Sequence, residues 1–317
     1  MTTRRDFIKK STLASAALMT PIPTDLLSNL QVGPAKAPEL YLFSKHLQFL
    51  DYDEMSRVVK EIGFDGLDLT VRPKGHVLPA NVTTDLPRAT EAMEAAGLKT
   101  KLFCTSVRDI TDPVQYNVLK TASELGYQHF RTGWYKYDIT QDILAVVAKA
   151  KGELNRLSIA CSEFNLQASY QNHSGHYLGT GIWDIFGILQ EIDTSGLGAQ
   201  YDVMHNVLEG GRNWQVGFHL IKPYINTLVL KDFIWVEQDG KWDRKYVPMG
   251  TGIVDFEKYF TMLMENNINV PISLHIEYDL GGAEHGKVPT ISHQEVYRRI
   301  QRDRDYIMDT WSKCAQQ

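Results

Sequence analysis

The stretch Pro271-Ile272-Ser273-Leu274-His275-Ile276-Glu277 alternates apolar and hydrophilic side chains almost residue by residue. Because successive side chains of a β-strand point to opposite faces, the Ile and Leu residues share one face, and Ser273, His275 and Glu277 share the other. Such alternation is typical of a strand that packs an apolar face against a covering layer. The stretch therefore predicts a sheet with helices on one face and a hydrophilic lining on the other.

Similar short runs recur along the chain and alternate with helical stretches, for example 53–62, 86–96, 256–266 and 294–311. Three helices are expected to end in a glycine that leads directly into the next strand, at Gly63, Gly97 and Gly126. Strands are predicted near 39–44, 65–71, 99–104, 127–133, 167–173, 198–203, 226–233 and 271–277. Eight such units in about 280 residues predict an α/β fold, a closed (β/α)8 TIM barrel, with a doubly wound open sheet as the alternative.

Strand alternation also predicts which side chains point into this barrel. The face toward the helices must be apolar, so the hydrophilic residues of each strand are assigned to the interior. Buried charges without partners cost several kcal/mol each, and strand C-terminal ends are where barrel enzymes keep their chemistry. We therefore expect an active site there rather than a structural salt-bridge network. The interior set is Asp68, Arg72, Arg131, Gln171, His173, Asp202, Lys231, His275 and Glu277.

The beginning of the chain has the pattern of an export signal. Thr3-Arg4-Arg5-Asp6-Phe7 precedes an apolar stretch over residues 11–22 that is too short to span a bilayer. Adjacent arginines before a modestly apolar stretch resemble a twin-arginine signal. We expect an export signal and linker over residues 1–37, a single barrel domain over 38–317, and a periplasmic location. A solvated basic tail is the alternative.

Charge and cysteine content exclude several classes of protein. Residues 1–37 carry five Lys/Arg and two Asp, so the remaining chain has a formal net charge of −8, against −5 for the whole. This charge disfavours a nucleic-acid partner. Three cysteines are too few for a disulfide framework. We expect no nucleotide cofactor and no membrane segment beyond the export signal; whether the chain forms a homo-oligomer stays open.

Three hydrophilic segments lie at the ends of the predicted fifth, sixth and eighth strands: Tyr170-Gln171-Asn172-His173-Ser174-Gly175, Asp202-Val203-Met204-His205 and His275-Ile276-Glu277-Tyr278. Together with Pro248-Met249-Gly250-Thr251-Gly252 and Asp255 after the seventh strand, they resemble the xylose-isomerase-like barrel superfamily of sugar isomerases and epimerases. The resemblance covers nearly all of the chain after the signal. It implies a TIM barrel that acts on a small-molecule carbohydrate.

The resemblance also implies a divalent metal, often manganese, held by Gln171, Asp202 and Glu277. His205 would then contact a substrate oxygen. The chain departs from the family pattern in strand seven, where Val229 stands at the position of a metal-binding histidine and Lys231 faces the same way. Oxygen ligands favour a hard ion such as Mn²⁺ or Mg²⁺. The alternative is a metal-free site in which Lys231 supplies the positive charge.

Removal of the proton next to a sugar carbonyl gives an enediolate, and the interior set contains groups for this chemistry. Glu277 is the expected base, and Lys231 or Arg131 would stabilise the oxyanion. His205 or His173 would return the proton, or would serve as neutral hydrogen-bonding groups. Further contacts with substrate are expected from His46, Asp68, Arg72, His76, Trp134, His173 and His275.

These residues predict a sugar isomerase or epimerase. Its substrate would be an unphosphorylated keto sugar, because an exported enzyme meets few sugar phosphates. Two alternatives stay open: a lyase or hydratase that acts on 3-keto-glycosides through the same enolate, and a carbohydrate-binding protein without catalysis. Cleavage of abasic DNA, a third activity of the superfamily, is disfavoured by the charge and by the export signal.

Overall fold

The structure, a computed structural model, describes residues 37–316, so the predicted export signal lies outside the described residues except for its last one. Eight parallel strands form a closed barrel in the described part of the chain, which confirms the predicted TIM barrel. The strands are β1 (Leu40–Phe43), β2 (Gly66–Val71), β3 (Lys99–Thr105), β4 (His129–Arg131), β5 (Gln167–Gln171), β6 (Leu197–Asp202), β7 (Ile225–Leu230) and β10 (Ile272–Leu274). Their order around the barrel is β1-β10-β7-β6-β5-β4-β3-β2.

Helices separate the strands along the sequence. The three glycines predicted to end helices, Gly63, Gly97 and Gly126, have φ angles of 98°, 71° and 79°. A left-handed residue there lets the chain leave the helix and enter the next strand within a short loop. The helices are α1 (Tyr52–Ile62), α2 (Val82–Ala95), α3 (Pro113–Glu124), α4 (Ile143–Glu163), α5 (Ile182–Leu189), α6 (Val203–Gly210), α7 (Trp214–Ile221), α8 (Phe256–Glu265) and α9 (His293–Cys314).

The apolar residues of the strands pack under the helices. Leu67, Leu69 and Val71 of β2 are fully buried, in the same hydrophobic cluster as Met55 and Val59 of α1. Burial of such side chains is the main favourable term in the stability of the fold. Among residues 37–316, none of the helices combines the length and the apolar character that crossing a bilayer requires.

An antiparallel hairpin follows β7 and was not predicted. It consists of β8 (Asp232–Gln238) and β9 (Lys241–Val247). Its turn residues Asp239 and Gly240 both have positive φ, 54° and 73°, as a two-residue turn that matches the strand twist requires. The predicted seventh strand, 226–233, therefore ends earlier, at Leu230. Lys231 lies at the junction between the barrel and the hairpin.

Candidate active site

Most hydrophilic residues of the interior set lie where the barrel strands end, whereas Asp68 lies within β2. β5 ends at Gln171, β7 at Leu230 and β10 at Leu274, each a few residues earlier than predicted. The polar side chains that follow therefore stand on the loops at the C-terminal mouth, the usual position of a barrel active site. A cavity at this mouth, the inner cavity, is lined by Phe43, Lys45, Arg72, Arg131, Trp134, Gln171, His173, Lys231, His275 and Glu277.

Lys231 is fixed on the cavity wall by two residues from β6 and α6. Its Nζ lies 3.0 Å from Asp202 Oδ2 and 2.8 Å from His205 Nε2. Asp202 also caps α6, since its Oδ1 accepts from the His205 backbone N–H at 3.2 Å. Burial by itself lowers the pKa of Lys231, but the nearby Asp202 and Glu277 carboxylates together with Tyr246 outweigh this effect and raise the pKa above its ordinary value. Lys231 is therefore a buried, fully charged ammonium group.

The two histidines beside Lys231 are neutral. Burial, reinforced by the positive charge of Lys231, lowers the pKa of His205 well below its ordinary value and the pKa of His173 to about 4. Their ring centroids are 4.2 Å apart. His205 accepts from Lys231 and does not line the inner cavity, whereas His173 does. In this geometry His205 positions Lys231. A contact between His205 and a substrate oxygen stays a prediction.

Glu277 carries the second ion pair of the inner cavity. Lys45 Nζ lies 3.1 Å from Glu277 Oε2 and 3.3 Å from Oε1. The two side chains are 15% and 21% exposed, so the pair borders the cavity rather than the solvent. From the sequence, Lys45 is expected on a mouth loop, either as a group that binds substrate hydroxyls or as a solvated residue. Lys45 lies in a 3-10 turn, Ser44–Leu47, directly after β1, so strand alternation carries no signal for the direction of its side chain.

The side chains present do not fit a divalent metal. Asp202 Oδ2 takes the ammonium of Lys231 and a hydrogen bond from Gln171 Nε2 at 2.9 Å. Gln171 thus turns a donor, not a ligand oxygen, toward the proposed site, and Val229 supplies no ligand. Glu277 is held by Lys45. No group of three or more His, Cys, Asp or Glu residues within 37–316 is arranged to hold a metal ion.

Stacked rings form the rest of the cavity wall. His275 lies parallel to Phe43, with ring centroids 4.1 Å apart and an interplanar angle of 9°. The guanidinium of Arg131 stands 3.8 Å from the centroid of the Trp134 ring. The Trp134 indole in turn donates to the Gln171 carbonyl at 3.2 Å. Aromatic rings with polar groups at their edges can stack on the apolar face of a sugar ring and hydrogen-bond its hydroxyl groups.

Three residues expected to contact substrate lie behind the cavity wall instead. His46 Nε2 accepts from the Ile276 backbone N–H at 2.9 Å. The His76 ring contacts the Ser44 hydroxyl at 3.0 Å, and Asp68 accepts from Ser273 at 2.7 Å. Each side chain satisfies a buried polar group of a neighbouring strand or loop. These three residues support the loops and strands that carry Lys45 and Glu277.

Asp68 gives the structure a pH-dependent stability. Burial raises the pKa of Asp68 to about 6, above its ordinary value of 3.8. The folded state therefore binds this proton more tightly than the unfolded chain, and its stability falls as the pH rises through 6. Relative to the wild type, Asp68→Asn is expected to gain about 2.5 kcal/mol in free energy of unfolding between about pH 4 and about pH 8.

Urea denaturation at several pH values measures this difference. Asp112→Asn is the matched control, because hydrogen bonds from Gln115 and from the first turn of α3 lower the pKa of Asp112 below its ordinary value. That variant should lose stability relative to the wild type as the pH rises, the opposite sign. Parallel curves for the wild type and Asp68→Asn would contradict the raised pKa.

The chain is similar to one protein family and to several proteins of known structure. A family model described as xylose isomerase-like TIM barrel matches residues 56–299. A xylose isomerase-like TIM barrel protein from Mycobacterium smegmatis in complex with magnesium shares the fold, with 16% identity, a TM-score of 0.64 and coverage of 88% of this chain and 98% of that one. D-psicose 3-epimerase with D-tagatose from Clostridium cellulolyticum H10 has 11% identity, a TM-score of 0.63 and coverage of 86% of this chain and 98% of that one. A probable 3-DHS dehydratase from Bacillus anthracis has 13% identity, a TM-score of 0.58 and coverage of 75% of this chain and 92% of that one. No curated protein matches the sequence. At these identities the structures show the fold, while the family model spans most of the chain. The chain belongs to the xylose isomerase-like TIM barrel family.

Proposed function

We propose that this protein is a sugar isomerase or epimerase that removes the proton next to the carbonyl of an unphosphorylated keto sugar. The observation that carries the proposal is the placement of the Glu277 carboxylate and the Lys231 ammonium on the wall of one cavity. Proton abstraction beside a carbonyl needs a carboxylate to accept the proton and a fixed positive charge for the enediolate oxygen. The inner cavity offers both at the barrel mouth.

The reaction follows from these two groups. Glu277 takes the proton from the carbon next to the carbonyl, the electron pair of that C–H bond forms the C=C bond, and the carbonyl oxygen becomes an oxyanion. Lys231 stabilises this oxyanion, and because Asp202 and His205 already hold its Nζ, little reorganisation is needed. Isomerisation follows when the proton returns to the former carbonyl carbon and the hydroxyl proton of the adjacent carbon moves to the oxyanion, so that the carbonyl shifts by one carbon. Return of the proton to the opposite face of the carbon that lost it gives epimerisation.

The positive charge is proposed to come from lysines rather than from a metal. The resemblance assigns a divalent ion to Asp202 and Glu277, and each of these carboxylates instead has an ammonium group within 3.1 Å. Two ammonium groups match the charge of one divalent ion. The site thus keeps its electrostatic balance without a metal ligand at Val229.

A lyase or hydratase acting on 3-keto-glycosides is the second candidate, since it shares the first step and differs only in expulsion of a leaving group. One observation favours it: a further cavity of about 440 Å³ adjoins the inner cavity and has room for an aglycone. The names of two similar structures, an epimerase and a dehydratase, correspond to the two candidates. A binding protein without catalysis would not need a buried ammonium group beside a carboxylate.

The proposed periplasmic location rests on the sequence of residues 1–37 alone.

Deuterium exchange separates these functions. The full-length protein is incubated in D₂O with free ketoses and, separately, with 3-keto-glycosides, each with and without a strong metal chelator. Deuterium uptake next to the carbonyl without aglycone release is the expected result, with equal rates in both buffers. Aglycone release would identify the lyase, and absence of exchange with every sugar would contradict both enzymes. Loss of exchange in chelator would contradict the metal-free site alone.

A further inference from the structure

A second cavity, the outer cavity, opens beside the proposed reaction centre. It measures about 440 Å³ against about 80 Å³ for the inner cavity, and Arg72, Arg131 and Trp134 line both. The inner cavity is too small to enclose a whole monosaccharide, so a bound sugar must extend into the outer one. The outer cavity is lined by Arg72, Ser106, Arg108, Arg131, Gly133, Trp134, Lys136 and Tyr177.

Four of these eight residues are cations, and no carboxylate lines the outer cavity. In the part of the chain that the structure describes, none of the four forms a salt bridge. On a chain of formal net charge −5, four cations around one cavity need an explanation. The four positive side chains repel one another, and all four attract an anion that enters the cavity.

Aromatic rings hold these cations in place. Each of the four stands over a ring: Arg72 over Phe43 at 5.4 Å, Arg108 over Tyr135 at 5.2 Å, Arg131 over Trp134 at 3.8 Å and Lys136 over Tyr177 at 5.3 Å. A cation–π contact attracts a cation through the quadrupole of the ring without neutralising its charge. The arrangement therefore fixes the positions of the charges and leaves them available to a ligand.

Arg131 links the two cavities and carries a free donor. The residue is only 2% exposed. Its Nε donates to Cys104 Sγ at 3.1 Å and its Nη2 to the Thr105 carbonyl at 3.0 Å, whereas Nη1 has no hydrogen-bond partner among the described residues. A buried charged donor without a partner is costly, and guanidinium groups bind carboxylates and phosphates in preference to neutral oxygens.

We infer that the outer cavity binds an oxyanion group of the substrate. The inference rests on the proposed function, under which that group is the carboxylate of a keto sugar acid rather than a phosphate. The carbonyl end of the sugar lies in the inner cavity between Glu277 and Lys231, and the carboxylate at its other end lies among the cations of the outer cavity.

Calorimetric titration of the full-length protein with three matched probes tests this inference: D-fructose, D-fructuronate and D-fructose 6-phosphate. D-Fructuronate is expected to bind at least about 10-fold more tightly than D-fructose, and added salt should reduce this ratio because it screens the exposed cations. The variant Arg108→Gln with Lys136→Gln is expected to lower the ratio by about 10-fold. Lys313→Gln is the control, because it removes one exposed charge near the end of α9, and Lys313 lines neither cavity.

Equal binding of D-fructose and D-fructuronate, or an unchanged ratio in the double variant, would overturn the inference. A preference for D-fructose 6-phosphate over D-fructuronate would overturn the assignment to a carboxylate. Deuterium exchange on the same probes separates this result from the proposed function. If exchange is equally fast on the neutral and the acidic sugar, the result supports the proposed function and contradicts the anion site. If the acidic sugar binds selectively but undergoes no exchange, the result supports the anion site and contradicts the proposed function.

Discussion

Lys231→Met is expected to lower kcat/KM for exchange of the substrate proton by about 100- to 1,000-fold, because removal of one preorganised group that stabilises an oxyanion has an effect of this size. Methionine is unbranched and of similar length, so it fills the space of the lysine stem without its charge. KM should change little, since the charge is needed most when the oxyanion forms. The measurement is the rate of deuterium uptake by a ketose substrate at saturating and limiting concentration.

The variant has a structural side effect that the experiment must separate. Asp202 is fully buried and would lose its ammonium partner, and breaking a buried ion pair on one side costs about 3 to 5 kcal/mol. Combining Lys231→Met with Asp202→Asn removes the orphaned charge and should recover most of the thermal stability without recovering exchange. Lys222→Met is the matched control, since Lys222 hydrogen-bonds Asn266 at 2.6 Å just before β7, away from the mouth. Exchange near the wild-type rate in the folded double variant would contradict the role of Lys231.

The barrel could be predicted from the sequence because the rules that specify it are local. Alternation in the stretch 271–277 assigns faces within one strand, and a glycine such as Gly63 ends a helix through its own φ angle. The hairpin β8–β9 follows an equally local rule, because Asp239-Gly240 between alternating residues is a strong turn signal. It was not predicted because the apolar run of β7 was extended through Phe233 into the first residues of the hairpin.

The partners of the site residues could not be predicted in the same way. Alternation predicts that a side chain lies inside the barrel, but it does not predict which group the side chain contacts there. His46 meets Ile276 from 230 residues away, and Lys45 meets Glu277 from 232 residues away. The metal expectation depended on the same missing information. Gln171 and Asp202 were placed on the interior face, but only the structure shows that the amide donates to the carboxylate.

Glu277→Gln is expected to lower kcat for proton exchange by about 100-fold or more, because a positioned general base contributes a factor of this size or greater. The amide has nearly the shape of the carboxylate and can still accept a hydrogen bond from Lys45, so folding and sugar binding should change little. If the protein is an enzyme with Glu277 as its base, the Glu277→Gln variant should therefore lose proton exchange and keep its affinity for the sugar. A carbohydrate-binding protein would show no exchange before or after the substitution.

Glu39→Gln is the matched control for Glu277→Gln. Glu39 also pairs with lysines, at 2.8 Å from Lys99 and 3.5 Å from Lys101, but it stands before β1 at the opposite end of the barrel. Loss of an ion pair as such would affect both variants alike, whereas loss of a base affects only Glu277→Gln. If exchange survived in Glu277→Gln at more than about a tenth of the wild-type rate, the contribution expected of a base would be missing. Another group on the inner cavity wall would then have to accept the proton, and the placement of Glu277 and Lys231 on one cavity wall would no longer support the proposed function.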